Sequence, residues 1–191
     1  VVAAPADELI NLPPEVLIPE MISSNAGARG GVEYLLLAHV DGTVATLADL
    51  KGKTLAVLDN THGFLATPWL ELLLAQAALG RPVDVLKRTL TVAKPALAAL
   101  PVFFRQLDAC IITRSALATL AELNPQVARK LRIVATSPTV FPILTGFGRT
   151  IDPALHAEIV RSIMSVRGTP AGRQLLTVFQ TDELGVCDAA T

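Results

Sequence analysis

The sequence predicts an α/β protein whose core is a mostly parallel sheet flanked by helices. Between residues 53 and 137 the strand-like runs KTLAVLD, VDVLKRTL, ACIIT and LRIVATS alternate with segments whose apolar residues recur at helical spacing. Such alternation is the pattern of right-handed crossovers in a parallel sheet. Two extended runs, VEYLLLAHVDG before this unit and SPTVFPILTGFG after it, bracket it. If they run side by side, residues 1 to about 35 and 145 to 191 are left to a second lobe.

Each element has a local reason. Residues 1 to 4 read as the end of a strand, with Pro5 to Glu8 opening a turn or short helix that Pro13-Pro14 stops. Residues 15 to 31 carry little periodic pattern. In TLADLK, Thr46 is the expected N-cap and Asp49 the partner three residues on, a capping-box arrangement closed by Gly52. From Pro68 a helix is expected with Trp69, Leu72, Leu73, Gln76 and Leu79 on its inner side, followed by a strand over 83–90. AKPALAALPVFFRQL reads as helical, with Pro95 in the first turn and Pro101 kinking or dividing it. A helix over 115–123 and a turn at Asn124-Pro125 lead to the strand 131–137. Asp152 and Thr169 are expected N-caps of two final helices, each with proline just inside. Leu155, Ile159, Val160, Ile163 and Met164 form the apolar stripe of the first, on which His156 reads as a surface residue.

Composition narrows the function. Hydrophobic residues make up 51% and charged residues 17% of 191, which describes a well-buried globular chain. Eight aromatic residues are too few for stacking platforms, so a single-stranded nucleic acid is not an expected partner. The formal charge is −1 with no basic run, so neither a phosphate backbone nor an acidic membrane surface is expected. No segment reaches the roughly 18 apolar residues of a membrane span. Cys110 and Cys187 lack metal-ligand spacing, and no phosphate loop, nucleophile elbow or zinc motif is present.

Candidate ligand residues cluster where strands end, because open α/β sheets bind ligands at their carboxyl edge. Asn60, Thr61, His62 and Gly63 stand between a strand and a helix, where unpaired N–H groups and the helix dipole suit an oxyanion. Ser137 and Thr139 follow the strand 131–137, and Arg114 follows ACIIT with a guanidinium able to grip an anion in two places. Asp108, at the other end of ACIIT, reads as a cap for local backbone.

TLADLKGKTLAVLDNTHGFLATPWLELLLAQAALG resembles the segment by which type II periplasmic solute-binding proteins of the phosphate/phosphite/phosphonate transporter family enter their second lobe. LDACIITRSAL resembles that family's aspartate-alanine strand, and LRIVATSPTVFPI its returning strand, so the similarity covers about residues 32 to 180. The family's hydroxyl-rich loop is Asn60-Thr61-His62-Gly63 here, and only Thr61 and Gly63 match it easily.

The resemblance implies two α/β lobes that close on phosphate, phosphite or an alkylphosphonate for delivery to an ABC transporter permease, with no cofactor, metal or reaction. It implies an extracytoplasmic protein, periplasmic or lipid-anchored, whose signal sequence is outside this chain. The segments are then 1–38 for the rest of the first lobe and first hinge strand, 39–140 for the second lobe, and 141–191 for the returning strand and closing helices. On this comparison the first lobe lacks its opening strand and helix, Asp7 lies in a cleft-side loop, and a homodimer could supply the missing cover. A sensory domain of the same fold is the alternative, and a small-molecule enzyme on that fold a more distant one.

Overall fold

The computed structural model describes residues 1–13, 15–25, 31–60, 64–141, 143–178 and 183–188. The chain divides into two units, one formed by Val1–Val32 with Val140–Thr191 and the other by Glu33–Thr139.

The continuous unit is built on five strands: β3 (Tyr34–His39), β4 (Thr54–Leu58), β5 (Arg88–Val92), β6 (Ala109–Thr113) and β7 (Leu131–Thr136). Their order is β5-β4-β6-β3-β7. β4 pairs in parallel with β5 and β6, as the alternation predicts. β3 runs antiparallel to both β6 and β7, so the sheet is mixed. The difference arises because β3 enters before the first crossover and inserts between β6 and β7. All six residues of β3 and all five of β6 are buried, consistent with uninterrupted apolar runs covered on both faces.

The helices of this unit are α2 (Ala66–Gln76), α3 (Pro82–Val85), α4 (Pro95–Phe103), α5 (Arg114–Leu123) and α6 (Pro125–Lys130). One face of the sheet presents Leu35, Leu37, Ala56, Leu58, Cys110 and Ile112 to Ala98, Ala99 and Val102 of α4. The inner side of α2 is Ala66, Trp69, Leu70 and Leu74, whereas Leu72 is half-exposed and Gln76 exposed. The helix begins two residues before Pro68, and its buried positions follow that earlier start.

Three further expectations are corrected. Residues 83–85, expected to begin a strand, lie in a helical turn, Pro82–Val85, with Pro82 at its first position and Asp84 bound to Arg81 at 2.9 Å, and the strand starts at Arg88. Asn124-Pro125 opens a helix, capped by the Asn124 side chain, which accepts from the Gln126 N–H. Of the two expectations for Pro101, division is the one overturned: Pro101 lies inside one helix, which ends at Phe103, and Arg105 beyond it takes a φ of 58°.

The discontinuous unit contains β1 (Val2–Pro5), α1 (Ala6–Ile10), β2 (Glu20–Asn25), β8 (Ile143–Gly146), α7 (Pro153–Ser165), α8 (Pro170–Val178) and β9 (Glu183–Asp188). Its sheet, β1-β8-β2-β9, is antiparallel throughout. Of these strands the sequence signals β1, at residues 1 to 4, and β8, within the extended run SPTVFPILTGFG, but neither β2 nor β9. β2 and β9 pair across 158 to 168 residues of chain, from Glu20 with Asp188 to Asn25 with Glu183, and neither EMISSN nor ELGVCD carries a local alternation. A small core of Leu9, Leu17, Met21 and Leu144 sits under this sheet. The two extended runs do meet, at a bridge between Val32 and Val140 with N–H···O distances of 2.7 and 2.9 Å.

Asp152 and Thr169 cap as expected, but Thr46 does not: the turn Ala48–Leu50 has Leu47 at its N-cap with no side-chain cap, and Thr46 Oγ1 donates to Asp49 Oδ2 at 2.9 Å. Asp152 accepts from the Leu155 N–H at 2.9 Å, and Thr169 from the Gly172 N–H at 3.0 Å. Asp49 accepts from Thr46 N–H at 2.8 Å and from Ala45 N–H at 3.0 Å, and these bonds hold its carboxyl below the usual aspartate range. His156 is no surface residue: its ring meets Phe147 edge-on at 4.5 Å, and Nε2 lies 3.2 Å from Glu20 Oε1.

Candidate functional site

β4, β5, β6 and β7 all end at the same edge of the five-stranded sheet, and β3 begins there. Three of these exits lead into helices of nine residues or more, β4 to α2, β5 to α4 and β6 to α5. Three helix N-termini, each with unpaired N–H groups and the positive end of its dipole, therefore gather at one edge.

Their caps differ. Thr113 caps α5, its hydroxyl accepting from the Ala116 N–H at 3.2 Å. Among the described residues no side chain caps α2 or α4. The N-cap of α4 is Lys94, in extended conformation before Pro95. A cation at the positive end of a helix opposes the dipole unless an anion sits beside both. Sequence reasoning passed over Lys94. The signal was a lysine immediately before the proline that opens the helix.

Asn60, directly beyond β4, donates from Nδ2 to Ala93 O at 3.2 Å and so ties the β4 and β5 exits together. Asp59 N–H donates to Val92 O at 2.9 Å in the same strip. At the β6 exit, Arg114 Nε donates to Glu33 Oε2, and Arg114 N–H donates to Glu33 O at 2.8 Å. The guanidinium remains half-exposed.

Ser137 is nearly fully buried beyond β7, where its Oγ accepts from Tyr34 N–H at 2.8 Å and donates to Pro138 O at 2.6 Å. Its hydroxyl thus serves the backbone. Thr139, two residues on, is exposed. Tyr34 is fully buried and stacked on Trp69, with ring centroids 6.2 Å apart. Burial pushes its phenol above the usual tyrosine value, and a backbone hydrogen bond with Leu65, the N-cap of α2, partly opposes that rise.

The edge thus brings together Asn60, Arg114, Ser137 and Thr139 of the residues singled out in the sequence, and adds Lys94. Thr61, His62 and Gly63 lie outside the described residues. Asp7 falls in α1 of the other unit, and its side chain also lies outside them. At the opposite edge Asp108 caps backbone as expected, its Oδ2 accepting from Thr54 N–H at 2.8 Å and Thr54 Oγ1 at 2.7 Å. No group of three His, Cys, Asp or Glu among the described residues is placed to hold a metal ion, and no described helix is long and apolar enough to cross a membrane. Cys110 is a free thiol buried in β6.

Comparison with solved structures finds the same fold. A binding protein component of an ABC phosphonate transporter from Pseudomonas aeruginosa is similar at 22% identity and a TM-score of 0.59, over 88% of this chain and 57% of that one. A Xanthomonas citri protein, solved with chloride ion, matches at 18% identity and a TM-score of 0.69, over 98% of this chain and 66% of that one. PhnD1 from Prochlorococcus marinus, solved with methylphosphonate, matches at 11% identity and a TM-score of 0.61, over 91% of this chain and 68% of that one. This chain thus spans between 57% and 68% of the length of these three. No curated protein matches it. The family model described as "ABC transporter, phosphonate, periplasmic substrate-binding protein" matches residues 20–191. With that model covering nearly the whole chain and the two-unit α/β fold common to the solved relatives, the protein belongs to the periplasmic substrate-binding family of phosphonate ABC transporters, whose members bind substrates and are not enzymes.

Proposed function

We propose that this protein is the solute-binding component of an ABC transporter, taking a small oxyanion such as phosphate, phosphite or a phosphonate and presenting it to the transporter's permease. The observation that carries this reading is the gathering of three helix N-termini at one sheet edge, with Lys94 at the uncapped start of α4. Backbone N–H groups and a lysine together favour a compact anion, even though the chain as a whole is slightly acidic. The stretch Thr61-His62-Gly63, between β4 and α2 in the sequence, supplies further donors in this reading, as do Asn60, Arg114 and Thr139 at the edge. Ser137 supports the edge by fixing Tyr34.

Calorimetric titration with phosphate, phosphite, methylphosphonate and sulfate tests the proposal. Saturable binding of at least one of the first three, weakened in Lys94→Gln, is expected. Flat titrations with all four would overturn it.

A further inference from the structure

The formal charge of −1 conceals a strong segregation. The continuous unit carries eleven of the sixteen lysines and arginines against eight acidic residues, and the discontinuous unit carries five against nine. Within the continuous unit the cations are concentrated away from the proposed ligand edge. Lys53 directly precedes β4, Lys87 and Arg88 stand at the start of β5, Arg105 lies between α4 and β6, and Lys130 and Arg132 flank the start of β7. Strand register fixes this gathering. Lys87 N–H donates to Lys53 O at 2.9 Å, Thr54 pairs with Arg88, and Ala38 and His39 at the end of β3 pair with Arg132 and Leu131. These cations are dispersed along the sequence, which is why no basic run is visible there.

The acidic groups at this end, Asp41, Asp49, Asp84 and Asp108, are each already engaged: Asp49 accepts from Thr46 N–H and Asp84 from Arg81 Nε. Asp41 binds Lys130 at 3.1 Å and lies within electrostatic range of His39 and Arg105. Asp108 is held by Thr54, with Lys53 at 3.8 Å and Lys87 also acting on it. Arg132 donates to Val40 O, and its Nε is buried without a hydrogen-bond partner. Amid these cations stands an aromatic ring on the outside. Phe104, next to Arg105 and just beyond α4, is 64% exposed and rests edge-on against Phe103 with ring centroids 5.0 Å apart.

We infer that this end of the continuous unit is a docking surface for an anionic lipid bilayer, with the cations facing headgroup phosphates and Phe104 entering the interface. A row of cations spread over several strand ends matches the diffuse field of anionic headgroups, and an exposed ring beside them adds the apolar contact that interfacial binding requires. The periplasmic family to which the chain belongs operates beside a membrane. The surface leaves the opposite edge of the sheet, where the oxyanion is proposed to sit, facing away from the lipid.

The test is sedimentation of the whole chain with vesicles of pure phosphatidylcholine and with vesicles of equal parts phosphatidylcholine and phosphatidylglycerol. Binding to the mixed vesicles only, reversed by salt, is expected. Replacing Arg88 and Arg105 together by glutamine should lower partitioning by about twenty-five-fold, at about fivefold per surface cation. Phe104→Ser should lower it independently of salt. Equal binding to both vesicle types, no binding to either, or unchanged binding in both variants would overturn the inference. Capture on immobilised polyglutamate without any vesicle binding would assign the surface to an acidic protein and overturn the lipid reading equally. Oxyanion titration of the same variants separates this result from the proposed function, because neither site shares residues with the other.

Discussion

Tyr34 and Ser137 exchange two backbone-directed hydrogen bonds: Tyr34 N–H donates to Ser137 Oγ at 2.8 Å, and Ser137 N–H donates to Tyr34 O at 2.9 Å. Both residues are buried, so removing the hydroxyl leaves the Tyr34 amide without its acceptor. Ser137→Ala should therefore lose about 1–3 kcal/mol of stability in urea denaturation. A loss of oxyanion affinity with unchanged stability would mean that the hydroxyl serves ligand instead.

Asp108 couples stability to pH. Its burial alone would raise its pKa, but the N–H and hydroxyl of Thr54, aided by Lys53 and Lys87, bring it below the ordinary aspartate value. A group depressed in the folded state contributes stability that is complete above the unfolded value of about 3.9 and is lost as pH falls through the folded one. Asp108→Asn should be less stable than the parent chain at neutral pH, with the gap narrowing under acid. Urea denaturation from about pH 6 down to about pH 3 measures it.

Cys110 is fully buried in β6, and burial pushes its thiol up to about 12. At pH 8 the folded protein should leave Cys110 unmodified by a thiol reagent, whereas half-buried Cys187 is the accessible one. Urea should expose both. Peptide mapping after labelling distinguishes the two sites.

Gly172 marks a tight junction between α8 and the short helical turn before it. A Cβ at this position would stand 1.8 Å from Val166 O, a backbone atom that cannot swing aside. Gly172→Ala should destabilise by about 1–3 kcal/mol, read from thermal or urea denaturation.

The elements that sequence reading located best are those whose cause is local. ACIIT is strand because five buried residues follow one another, and Asp152-Pro153 opens a helix because a carboxylate cap and a preset φ are adjacent in the chain. β2 and β9 escaped notice because their partner strands are remote, and pairing over that distance leaves no trace in either hexamer. The same division runs through the candidate site. Asn60 and Arg114 were visible at strand ends, whereas Ser137 was assigned a ligand role because its bond to Tyr34 joins residues 103 apart. Lys94 was missed because a lone lysine means little until the uncapped helix behind it is seen.

The division into one continuous and one discontinuous unit sets an order for folding. All five strands of the first lie within Glu33–Thr139, so that unit can close as soon as this stretch is available. The second cannot: β1 and β2 must wait for β8, and β2 then for β9, before their outer hydrogen bonds are made. Closing a loop of that length costs entropy that only the completed sheet repays. During synthesis β1 and β2 therefore remain unpaired until β8 arrives, and β2 keeps one open edge until β9 does.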